Sequence, residues 1–194
     1  MVTVPGNVNK RLFVAINPSE TAREELIALC SGLPDARWTP PKQLHLTLCF
    51  IGEVDDRAFL GIREALCALE RNGPSAFSLR FRTLGFFPPR GEPRVLWAGV
   101  AESPALLRLQ RQVSISLQGV GIELEKRRFT PHITLARLGA GAASGLKRYL
   151  DAQTSFSGSS FVVDRFTLYS SILDKSGATH IPEAEYILPA FEKK

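Results

Sequence analysis

Apolar residues recur along this chain in two rhythms, short dense or alternating runs and longer stretches at helical spacing, with Pro, Gly and Asn at the breaks. Residues 11–16 are a dense apolar run stopped by Asn17 and Pro18, which predicts a buried strand and a turn. Thr21 with Glu24 makes a capping box, and Ala22, Leu26, Leu29 and Leu33 follow at helical spacing until Pro34, so a helix comes next. Residues 44–51 alternate and predict a strand. Asp55 or Asp56 then caps a helix whose Phe59, Ile62, Leu66 and Leu69 share one face, closing at Asn72 and Gly73. Residues 77–87 and 95–100 read as strands around a turn rich in Pro and Gly. Ser103 and Pro104 are a helix cap and first helical residue, with Leu106, Leu109, Val113 and Leu117 continuing that element. A strand at 132–138, a short helix at 144–150, a long strand at 161–172 and a last strand near 185–188 complete the order, which is α+β.

The order contains a weak repeat. A strand reading His45-Leu46-Thr47-Leu48, a helix and a strand from Phe77 match a strand reading His132-Ile133-Thr134-Leu135, a helix and a strand from Phe161. No low-complexity linker separates the halves, so residues 11–188 are expected to form a single two-lobed domain sharing one cleft, with 1–10 and 189–194 as termini. An apolar content of 44% over 194 residues suffices for a substantial core. The net charge of +5 and pI near 9.4 favour a polyanionic partner. Lys126, Arg127 and Arg128 are a local basic run that suits RNA phosphates at a groove rim. The three cysteines, Cys30, Cys49 and Cys67, lie in apolar segments without a CxxC pair, so reduced thiols and a cytoplasmic location are expected. Neither a signal peptide nor an apolar run long enough for a membrane span is found, and nothing suggests association beyond a monomer.

The chemistry rests on histidine. Only three occur, and two of them, His45 and His132, are each followed two residues later by a threonine, Thr47 and Thr134, whereas His180 has no such context. On a strand, residues i and i+2 share a face, so each motif presents one imidazole and one hydroxyl from a rigid support. One His-x-Thr alone is ordinary, but two copies in matching strands form a constellation. Imidazole titrates near pH 7, so a pair can supply a general base and a general acid, and two hydroxyls can hold the oxygens of a phosphoryl group. Neither an acidic or Cys/His cluster nor a phosphate-binding glycine loop is present, which favours chemistry without metal, cofactor or nucleoside triphosphate.

These two motifs, with residues 43–53 and 129–137, the strand 94–99 and the opening 11–16, resemble the bacterial and archaeal RNA 2',3'-cyclic phosphodiesterases, the 2'-5' RNA ligase family of two-histidine phosphoesterases. The resemblance implies a pseudo-symmetric fold with antiparallel sheets lining a central groove and helices outside. It implies opening of a 2',3'-cyclic phosphate at an RNA or nucleotide end to a 2'-phosphate, with the related reversible 2'-5' joining reaction. By the same resemblance His132 activates water, His45 protonates the departing 3'-oxygen, Thr47 and Thr134 hold the phosphate, and Arg137 neutralises its charge; the residues alone leave the order of the two histidines open. Strict alternation from His132 puts Arg137 on the wrong face, so it reaches the site only through a bend or bulge after Ala136. Phe13 is a candidate for stacking on a base, and Trp97 reads as packing. The alternatives are a phosphodiesterase for 2'-5' oligoadenylates or small cyclic nucleotides, and a nucleotide- or RNA-binding module without catalysis.

Overall fold

Residues 9–139, 141–174 and 177–190 are described by the computed structural model. Strand β1 (Lys10–Ile16) leads into α1 (Glu20–Ala28), then β2 (Ala36–Trp38), a 3-10 turn (Pro41–Gln43), β3 (Leu46–Val54), α2 (Asp56–Cys67) and the one-turn α3 (Leu69–Asn72). Strands β4 (Phe77–Phe87) and β5 (Val95–Val100), α4 (Pro104–Gly119), β6 (His132–Leu138), α5 (Ala143–Ala152), β7 (Ser160–Val163), β8 (Arg165–Asp174) and β9 (Gly177–Ile187) follow. The fold is α+β, with antiparallel strand pairs in the order β7-β4-β5-β6-β3-β1-β8-β9 and β2 added beside β6. β7 stands at one end of that order and β8 next to last at the other, although only Asp164 separates them in the chain, so the sheet curls until these two sides approach.

Expected elements form with local corrections. Ser19, not Thr21, caps α1, its hydroxyl accepting from the Ala22 amide at 3.3 Å; Ser19 is extended after Pro18, which leaves Thr21 inside the first turn. Asp55 caps α2 and Ser103 caps α4. The run expected at 161–172 is two strands, because Val163 pairs with Phe77 of β4 while Arg165 pairs with Ile187 of β9, and the chain crosses between sheet ends at Asp164. The final strand is far longer than 185–188. Pro182 sits in it at a register shift on the sheet edge, where a missing N–H is tolerated.

One face of the sheet is covered. Leu12, Val14 and Ile16 of β1, Leu46 and Leu48 of β3, Leu96 and Ala98 of β5, and Ile133 and Leu135 of β6 pack with helix residues such as Leu26, Ile62, Leu66, Leu109 and Val113. Residues between them in sequence therefore point to the other, open face. Among the described residues no helix is long and apolar enough to cross a membrane.

Candidate active site

The two His-x-Thr motifs meet at the centre of the sheet. β3 and β6 are antiparallel neighbours joined at Leu46 and Ile133, both buried in the core. β3 begins at Leu46 rather than at the expected Leu44, so counting outward from that pair sets Thr47 across from His132 and His45, the residue just before the strand, across from Thr134, all four on the open face. The histidines lie on the diagonal of this square, where backbones stand about 7–8 Å apart.

Each ring is oriented by the same device. His45 Nδ1 is 2.7 Å from the Gln43 carbonyl and His132 Nδ1 is 2.7 Å from the Thr130 carbonyl, in both cases two residues upstream. A carbonyl oxygen only accepts, so Nδ1 carries the hydrogen, and Nε2 is left to accept or deliver a proton at the site. Burial pulls the His45 pKa down from 6.5 to about 4; the Gln43 hydrogen bond opposes this, and His180 and His132 push it further down. Burial also lowers His132, with the Thr130 carbonyl opposing. Both rings are therefore neutral near pH 7.

The surroundings differ between the two. The His45 ring lies 4.9 Å from Phe13 and 5.2 Å, edge-on, from His180 of β9. Phe13 stacks at 5.2 Å on Tyr169, whose hydroxyl donates to the Asn17 side chain at 3.0 Å. Phe13 is only 3% exposed, with rings of His45, Phe50, Tyr169 and His180 around it, so it supports the site from below, and no broad face is left for a base. His132 instead meets Phe87 at 5.0 Å and Trp97 at 6.1 Å. Trp97 pairs with Thr134 and so belongs to the open face, where it has the packing role expected of it, half-buried with its ring 5.2 Å from that of Phe87. Its ring lies over Gly85 and Gly99, where an added Cβ would collide with the indole. Gly85→Ala should accordingly cost about 1–3 kcal/mol in urea unfolding and lower turnover through the displaced ring beside His132.

Arg137 reaches the open face through a bulge. β5 and β6 slip register between Leu96 and Trp97, leaving Leu135 unmatched; Leu135 and Ala136 both point into the core, and Arg137 emerges on the side of Thr134. The slip comes at Leu135, one residue before the expected place. β3 carries the same device, with Leu48 unmatched against β1, Leu48 and Cys49 in the core, and Phe50 emerging on the side of Thr47. Phe50 and Arg137 thus hold equivalent positions, five residues after their histidines. Across from Arg137 stands Arg37 of β2. Like charges directly opposite each other repel, so this pair is most stable with an anion beside it.

His180, Tyr169, Trp97, Phe87 and Arg37 were not assigned to the site from sequence. The strand holding His180 is interrupted by Pro182, and Arg37 lies in a short edge strand without an apolar pattern. Among the described residues no group of three or more His, Cys, Asp or Glu could hold a metal ion.

A family model for the 2'-5' RNA ligase superfamily matches residues 18–175. An RNA 2',3'-cyclic phosphodiesterase of Thermotoga maritima is 33% identical over 171 residues, covering 86% of this chain and 89% of that protein. A protein of the same description from Geobacillus stearothermophilus is 32% identical over 84% of this chain but 53% of its own length, so the chain spans about half of that relative. Among solved structures, a Thermus thermophilus protein superposes with a TM-score of 0.79 at 28% identity, covering 93% of this chain and 98% of that one. E. coli LigT complexed with 3'-AMP superposes with a TM-score of 0.74 at 25% identity, covering 93% and 99%. With the paired His-x-Thr strands at the centre of its sheet and a family match over most of its length, the chain belongs to the 2'-5' RNA ligase superfamily.

Proposed function

We propose that this protein hydrolyses 2',3'-cyclic phosphate ends of RNA or nucleotides to 2'-phosphates, with two histidines performing both proton transfers. The observation that carries the reading is the diagonal of His45 and His132 across one strand pair, with each Nδ1 held by a carbonyl. The names of the curated relatives support the same substrate class.

In the reaction, neutral His132 accepts a proton from water through Nε2 as the water oxygen attacks phosphorus. The P–O3' bond breaks on the far side, and the 3'-oxygen takes a proton from protonated His45. Products are a 2'-phosphomonoester and a 3'-hydroxyl. Thr47 and Thr134 donate to the non-bridging oxygens, where charge builds up in the transition state. His45 is neutral in the free protein, so the phosphate anion itself must draw the proton onto it by raising its pKa. With the 5'-hydroxyl of a second RNA end in place of water, the same step forms P–O5' as P–O3' breaks and joins the ends through a 2'-5' linkage; run backwards, with acid and base exchanged, it cleaves that linkage and re-forms the cyclic phosphate.

The test is turnover of a defined 2',3'-cyclic phosphate in excess chelator, which the two-histidine mechanism survives. Arg137 anchors the phosphate by charge-assisted hydrogen bonds, so Arg137→Gln should lower kcat/KM by about 10- to 150-fold and flatten its dependence on salt. A wild-type value in Arg137→Gln would remove that residue from the site.

A further inference from the structure

The joining direction needs a second RNA end, and its nucleophile enters from one side. In an in-line displacement the 5'-oxygen attacks phosphorus opposite the departing 3'-oxygen. With His45 at the departing oxygen, the attacking strand comes in past His132, over β5 and β4, which lie on the side of β6 away from β3. Across those strands His132, Gly99 and Thr83 stand in one row. Two strand spacings put Thr83 about 10 Å from His132 along that row. Gly99 raises no side chain between them, and a Cβ added there would collide with the Thr83 hydroxyl as well as with the Trp97 ring.

β4 brings cations to the far side of this floor. Phe77, Leu79 and Phe81 are buried in the core, so Arg80 and Arg82, which alternate with them, are exposed on the opposite, open side. Alternation alone would send Thr83 inward. Instead the pairing of β4 with β5 slips between Phe81 and Thr83 and leaves Arg82 unmatched. Thr83 is thereby exposed beside Arg82, while Leu84 and Phe86 return to the core. Among the described residues neither Arg80 nor Arg82 has a salt-bridge partner. Two unneutralised guanidinium groups with a hydroxyl beside them suit the successive phosphates of a single strand. Water brings no phosphate to them, so hydrolysis has no use for this lane.

We infer that Arg80, Arg82 and Thr83 of β4 form the subsite for the RNA strand that carries the 5'-hydroxyl, holding its first internucleotide phosphates while its 5'-oxygen reaches phosphorus beside His132. The inference rests on the proposed function and deepens its joining direction, in which the 5'-hydroxyl partner is an oligonucleotide rather than a single nucleoside. In that step P–O5' forms as P–O3' breaks, the 5'-hydroxyl proton passes to His132, and the 3'-oxygen takes a proton from His45.

The experiment gives wild type, Arg80→Gln, Arg82→Gln and the double variant three substrates. One is an oligonucleotide ending in a 2',3'-cyclic phosphate, the second is that strand joined through a 2'-5' linkage to a trinucleotide, and the third is joined likewise to a single nucleoside. A strand of the second kind made 3'-deoxy at the junction lacks the hydroxyl that re-forms the cyclic phosphate, and its binding is measured by calorimetry. Hydrolysis of the cyclic end and cleavage of the nucleoside conjugate should keep their wild-type rates in every variant. Cleavage of the trinucleotide conjugate should fall about tenfold in kcat/KM in Arg82→Gln and further in the double variant. The salt slope for binding the 3'-deoxy strand should drop by about 0.7 for each phosphate contact removed. Wild-type cleavage of the trinucleotide conjugate by the double variant overturns the subsite. Equal losses on all three substrates overturn it as well, since the arginines would then act on the reacting phosphate or on the strand that carries it. Wild-type protein that opens no cyclic phosphate would sink the proposed function instead, and binding of the 3'-deoxy strand to wild type and double variant would still decide the subsite.

Discussion

Replacing either His45 or His132 by alanine is expected to lower kcat for a 2',3'-cyclic phosphate by about a hundred- to ten-thousandfold, the usual contribution of a positioned general acid or base. The loss should be large for each single variant and far less than additive in the double variant, because the two transfers belong to one concerted displacement. Folding should be little affected, since the core beneath is made by Leu46 and Ile133 on the other side of the strands. Glutamine is the sharper control. It keeps a hydrogen-bonding side chain of similar reach but moves no proton, so His45→Gln and His132→Gln should bind product and fail to turn over. Single-turnover kinetics beside a thermal melt separates the chemical loss from any loss of fold.

Between pH 6.5 and pH 4 the protein should lose about 3 kcal/mol of stability through His45 alone, from the distance between its pKa unfolded, 6.5, and folded, about 4. The sign follows from proton counting. In that window the unfolded chain binds a proton at residue 45 that the folded protein refuses, so acid favours unfolding; above 6.5 both states are neutral there and the stability is fully present. His132 and His180, also lowered by burial, act in the same direction. Urea unfolding of wild type and His45→Gln at pH 7.5 and pH 4 checks this, and the variant should show a distinctly smaller acid loss. The linkage reaches function as well. If a phosphate anion raises the pKa of His45, product binding at pH 7 must take up a proton, which calorimetry in buffers of different ionisation enthalpy would register.

Much of this was legible in the chain. The duplicated His-x-Thr motif, the matching strands and the Ser103-Pro104 helix start are local signals, and each depends on neighbours in sequence. The residues that distinguish the two ends of the site are not local. Arg137 and Phe50 gain their orientation from single unmatched residues, Leu135 and Leu48, and a slipped register is a property of a strand and its partner together. A trace exists in the apolar pairs Leu48-Cys49 and Leu135-Ala136, which break alternation inside strands at equal distances from their histidines. His180 is a different case. It enters through an edge strand interrupted by Pro182, and only the pairing of β9 with β8 brings it within 5.2 Å of His45. Trp97 reads as packing and does pack, but on the open face, to which its pairing with Thr134 turns it and where the small surfaces of Gly85 and Gly99 let its ring lie flat.

His45 and His132 are proposed to act on opposite sides of one phosphorus. The most direct test of this is the end chemistry left on a defined oligonucleotide 2',3'-cyclic phosphate, read with wild type and both alanine variants. Wild type is expected to leave a 2'-phosphate and a free 3'-hydroxyl, and each variant an intact cyclic end. A 3'-phosphate product, or turnover at the wild-type rate by either variant, would contradict it.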